Sequence, residues 1–69
     1  MTQELITALE TRYQADIAEA KANLQNYLSN SVGVGEHPNI VAECDKLIAQ
    51  ITDADGKLLV LKSMVDAIN

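Results

Sequence analysis

The chain has 69 residues, a formal charge of −5 from ten acids against five bases, and 48% hydrophobic residues, of which only Tyr13 and Tyr27 are aromatic. This is one small domain, too apolar for a disordered polyelectrolyte and too acidic to favour a phosphate backbone. No apolar run approaches the roughly 18 residues that a membrane span needs, one cysteine cannot staple a small fold, and Met1-Thr2-Gln3-Glu4 lacks the basic stretch that opens a secretory leader.

The first predicted element is a helix over residues 2–30, a stretch free of glycine and proline. Ile6, Leu9, Tyr13, Ile17, Ala20, Leu24 and Leu28 recur at steps of 3, 4, 4, 3, 4 and 4, close to the period of a straight α-helix. Leu5 and Tyr27 widen this apolar stripe. Thr2 suits the N-cap, and Glu4 in the first turn suits the positive end of the helix dipole. Asn30 or Gly33 can end the helix, since both tolerate the left-handed conformation.

The second element is a loop over residues 31–37. It belongs to a polar break, Ser29-Asn30-Ser31-Val32-Gly33-Val34-Gly35-Glu36-His37-Pro38, that holds two of the three glycines and the only proline. Pro38 fits a first helical position, which would place His37 at the N-cap.

The third element is a helix over residues 38–68. Ile40, Cys44, Leu47, Ile51, Ala54, Leu58, Leu61, Val65 and Ile68 repeat at 4, 3, 4, 3, 4, 3, 4 and 3, an unbroken heptad stripe of the kind that winds helices into a left-handed supercoil. Asp53-Ala54-Asp55-Gly56 could form a turn. The stripe nevertheless passes from Ala54 to Leu58 in phase, so a continuous helix is expected, with Gly56 on the side away from the stripe.

Two helices of this length joined by a short connection make an antiparallel hairpin, an all-α fold. A single helix–helix seam hides one stripe per helix and leaves the rest wet, which is little burial for the entropy of ordering the chain. Self-association is the expected remedy, most simply a dimer forming a four-helix bundle. Leu59, Val60 and Met64 lie beside or behind the Leu58, Leu61, Val65 and Ile68 stripe, so the C-terminal half of the second helix is apolar around much of its girth. These seven residues are the candidate oligomer interface. Small residues also recur seven apart, at Ala42, Ala49, Gly56 and Ser63 and at Ala8, Ala15, Ala22 and Ser29. Such rows either let the backbone of a second subunit approach closely, which supports self-association, or are exposed positions filled by the best helix former.

Residues that carry chemistry are few. Cys44 falls in the heptad stripe and reads as a small core hydrophobe. His37 reads as a loop or cap residue, because a metal site needs more than one histidine and scattered carboxylates. Asp53, Asp55 and Gly56 echo half of a calcium loop, but the first ligand position falls on Ile51 and the twelfth on Lys62. Gly33-Val34-Gly35 lacks the third glycine and the preceding strand of a nucleotide fingerprint. Asp16, Glu19, Glu43 and Asp45 read as solvated faces, and there is no Glu-x-x-His motif for a di-iron bundle. No nucleophile–base pair can be assembled. The expectation is a non-enzymatic protein with no cofactor and no metal.

The stretch Ala15-Asp16-Ile17-Ala18-Glu19-Ala20-Lys21-Ala22-Asn23, the junction Tyr27-Leu28 with Val32-Gly33-Val34-Gly35-Glu36-His37-Pro38, and Ile51-Thr52-Asp53-Ala54-Asp55-Gly56-Lys57-Leu58 resemble a family of short, functionally uncharacterised helical-hairpin proteins. These come from tailed phages of marine bacteria, cyanophages included, and from marine metagenomes. The resemblance covers most of the chain, and its most distinctive part is Gly35-Glu36-His37-Pro38. In that family acidic residues stand near the position of Gly56, from which the glycine here departs. The resemblance implies a viral setting, in the host cytoplasm or the virion, and no particular activity. It frames two expectations. One is a structural or protein–protein interaction module whose partners are itself and a virion or host protein. The alternative is an acidic phage regulator that covers a basic surface on a host protein.

Overall fold

The computed structural model describes residues 2–29 and 39–68, and these form two α-helices with no strand among them: α1, Gln3–Ser29, and α2, Ile40–Ile68. Each helix begins at a side-chain cap. The Leu5 amide donates to Thr2 Oγ1 at 3.2 Å and the Ile6 amide to the Thr2 carbonyl at 3.1 Å, so Thr2 caps α1 as expected. At α2 the Ala42 amide donates to Asn39 Oδ1 at 2.9 Å and the Glu43 amide to the Asn39 carbonyl at 3.2 Å. Asparagine is among the strongest N-caps, so α2 starts immediately after Asn39, at Ile40. The stop at Asn30 or Gly33, the loop over 31–37 and the roles expected of His37 and Pro38 lie outside the described residues.

The helix through Gly56 is unbroken. No glycine among the described residues has a positive φ, and a Cβ built on Gly56 meets nothing within 4 Å. Glycine here costs helix propensity without breaking the helix. Lys57, one residue on, bridges back to Asp53 at 2.9 Å along the same helix, and its ammonium sits 5.7 Å from the centre of the Tyr13 ring on α1.

The helices run antiparallel along a molecule of 49 × 17 × 14 Å. Tyr13 lies against Lys57, and Asp16 lies against Gln50, whose Nε2 donates to the Asp16 carbonyl at 3.3 Å across the partly buried seam. The core is thin. Among the described residues only Ala20, Ala54 and Leu61 are buried, at 0%, 2% and 6% exposure. The rest of the seam is half-buried: Ile6, Leu9, Tyr13, Ile17, Leu24 and Tyr27 on α1, and Ile40, Cys44, Leu47, Ile51, Leu58 and Val65 on α2.

Two residues expected in the stripes face outward. Leu28 is 72% exposed, and Tyr27 takes its place. With Tyr27 the α1 steps become 3, 4, 4, 3, 4 and 3, a mean of 3.5, the same period as α2. Two antiparallel helices can keep a long contact only when both stripes share that period. Ile68, in the last turn of α2, is 63% exposed.

Candidate protein-interaction surface

The surface follows from the heptad period, because residues seven apart on either helix lie in one row. Beside the seam, Met64, Lys57, Gln50 and Glu43 form one row of α2, Val60, Asp53 and Lys46 a second, and Leu9, Asp16 and Asn23 the facing row of α1. Each row changes character along its length. At the Thr2/Ile68 end it is apolar, and at the Ser29/Asn39 end it is polar. The grooves on this flank reflect the change. One of about 570 Å³ is lined by Leu9, Tyr13, Gly56, Val60, Leu61 and Met64 among others. Another, of about 470 Å³, is lined by Asn23, Asn26, Tyr27, Glu43, Lys46 and Gln50 with Leu47.

The opposite flank has the reverse order. Val41, Ile48, Asp55 and Lys62 form its α2 row, apolar at the Ser29/Asn39 end and charged at the other. A groove of about 350 Å³ there is bordered by Glu10, Asp55 and Lys62 around Leu58, Leu59 and Val65. Val41 is 80% and Ile48 52% exposed, and exposed Leu28 stands at the same end of the molecule.

Of the seven residues expected at an oligomer interface, Leu61 is buried in the seam and Leu58 and Val65 are half-buried. Leu59, Val60, Met64 and Ile68 are open, at 65%, 61%, 50% and 63% exposure. Sequence reading missed Leu28, Val41 and Ile48 as surface hydrophobes. The seven-residue spacing of Val41 and Ile48, ending on charged Asp55 and Lys62, was the available signal.

Two ion pairs neutralise part of the charge on these flanks. Lys46 bridges Glu43 at 3.2 Å and Lys57 bridges Asp53. The hydrogen bond and charge of Asp53, with smaller help from Tyr13 and Asp16, hold the Lys57 ammonium above the usual lysine range. Glu4 and Glu43 lie in the first turns of α1 and α2, and neither helix has a base in its last turn.

The described residues contain no group of three or more His, Cys, Asp or Glu placed to hold a metal ion. Cys44 is half-buried, more accessible than the core position expected of it, because the seam between two helices shields it on one side only. No helix among the described residues is long and apolar enough to cross a membrane. Comparison of the chain with protein-family models, with curated proteins and with solved structures gives no match.

Proposed function

We propose that this protein is a non-enzymatic protein–protein interaction module that works as a homo-oligomer, most simply a dimeric four-helix bundle, in a phage structural or assembly role. The observation that carries the oligomer is the imbalance of burial: three residues buried among those described, against eight large hydrophobics at least half exposed. Isolated surface leucines are ordinary, but eight exposed hydrophobics beside so small a core are the composition of a surface that a partner covers. The phage setting rests on the sequence resemblance.

Sedimentation equilibrium between roughly 5 and 200 µM tests the reading. A mass rising to a multiple of the 7.5 kDa chain is expected. A monomer throughout that range with a steep thermal transition would sink it. Mass spectrometry of purified particles of the encoding phage then tests the structural role. Its absence from particles, together with stoichiometric capture of one basic host protein, would favour the acidic regulator instead.

A further inference from the structure

We propose that the oligomer is a staggered antiparallel dimer, in which two copies overlap only through the apolar half of the flank carrying Leu9, Val60 and Met64. This rests on the self-association proposed above and adds which face is used, by what occupant and in what register.

Area comes first. The chain exposes 5151 Å², whereas a compact protein of its mass exposes about 4,200 Å². The excess is close to the roughly 800 Å² that each partner gives to a standard interface. A second copy is the occupant that covers part of this excess on both sides at once.

Register comes from the rows. Leu5 stands four residues before Leu9, so it extends the apolar half toward the Thr2 end, and Ile68 extends it from Met64. The polar half begins at Asp53 and Asp16 and runs through Gln50 to Glu43. A twofold dimer is isologous, so each residue of the patch meets the same patch reversed. Full antiparallel overlap would lay Val60 and Met64 on the other copy's Lys46 and Glu43, burying apolar groups against charges. Parallel overlap would match the apolar halves, but it would set the two α2 C-termini side by side, each with Asp66 and no base in its last turn. Negative ends stacked in this way repel. The staggered arrangement sets Val60 beside the other copy's Val60 and Met64 on the stem of its Lys57, whose charge Asp53 already pairs, and moves each Asp66 end toward that pair.

The space over Gly56 is open, and its two flanking charges, Asp53 and Lys57, already neutralise one another. This pair therefore adds no net charge to the contact.

Overlap through residues 53–68 spans about 24 Å at 1.5 Å per residue, so two 49 Å hairpins would reach about 75 Å in total. Full overlap in either direction would leave the particle near the length of one hairpin.

The experiment combines three measurements on the full chain. Sedimentation should show Val60→Asp or Met64→Asp weakening dimerisation at least tenfold, while Leu59→Asp on the other flank changes it less than twofold. Circular dichroism of the variants checks that the hairpin persists. Small-angle scattering of the native dimer should give a maximum dimension near 75 Å. In a Cys44→Ala background, Val60→Cys should form a disulfide-linked dimer on mild oxidation, which reads the contact even if the aspartate variants unfold. A native dimer that tolerates Val60→Asp, or one about 50 Å long, would overturn this face and register while leaving self-association standing. A native monomer would overturn both.

Discussion

Leu59 and Leu61 are two residues apart and chemically identical, yet one is 65% exposed and the other 6%. Leu61 borders the grooves on both flanks, at the middle of the seam. Replacing it with alanine removes contacts from two sides and leaves a void, a change that costs about 2–4 kcal/mol in cores. In a hairpin with so few buried residues, Leu61→Ala should abolish most of the helicity at 25 °C, while Leu59→Ala should stay within about 0.5 kcal/mol of native. Chemical denaturation followed by circular dichroism checks both. The Lys57 ammonium gives a second prediction. Its proton is held more tightly in the folded state, so its contribution is fully present below the lysine value of the unfolded chain. That contribution is lost as pH rises through the higher folded value. Asp53→Asn should therefore lower stability slightly at neutral pH, less so in high salt, and the difference should vanish in strongly alkaline solution. Thermal melts from pH 7 to 12 would show this; a difference that grew with alkali would contradict it.

At the scale of the helices, the stripe from Ile40 to Val65 was legible because its spacing admits one phase only. The end of the α1 stripe was not, since Tyr27 and Leu28 are both apolar and both within one step of Leu24. The structure selects Tyr27, which keeps the two helices on a common period. At the start of α2 the hydrogen bonds that begin the helix come from Asn39, a cap the sequence reading did not single out. The partial burial of Gln50 was not legible either, because its role depends on which α1 carbonyl lies opposite. Sliding either helix by a turn would leave that amide facing a different carbonyl, so the bond favours one register. Continuity at Gly56 was legible from phase. Since the residue is helical with open space around it, Gly56→Ala should stabilise the hairpin by about 0.5–1 kcal/mol through the unfolded chain. The measurement belongs at a protein concentration below association. Loss of stability there would mean that the helix does not tolerate a side chain at this point.

For the whole molecule, charge and apolar surface act in opposite directions on association. Each copy carries −5, so bringing two together costs long-range repulsion that salt screens. The proposed contact is apolar and its flanking charges are internally paired, leaving little attraction for salt to weaken. Dimerisation should therefore strengthen between about 20 and 500 mM sodium chloride. Sedimentation at the two concentrations tests this, and a dimer that dissociated in salt would point to a charge-driven contact elsewhere. Sequence reading placed the interface around the whole C-terminal girth of α2 because composition along one helix does not reveal which side the other helix leaves open.

The exposed cluster of Val41, Ile48 and Leu28 lies on the flank and at the end that the proposed contact does not use. In a staggered pair these clusters would sit at the two extremities, far apart and related by the twofold axis. The assembly would then be bivalent: two identical adhesive ends on a rod of fixed length. A partner presenting two matching sites at that spacing would bind both ends, with the second engagement made intramolecular. Partners with other spacings would be held by one end alone. Under that arrangement, rod length would act as a ruler that selects among targets of equal chemistry.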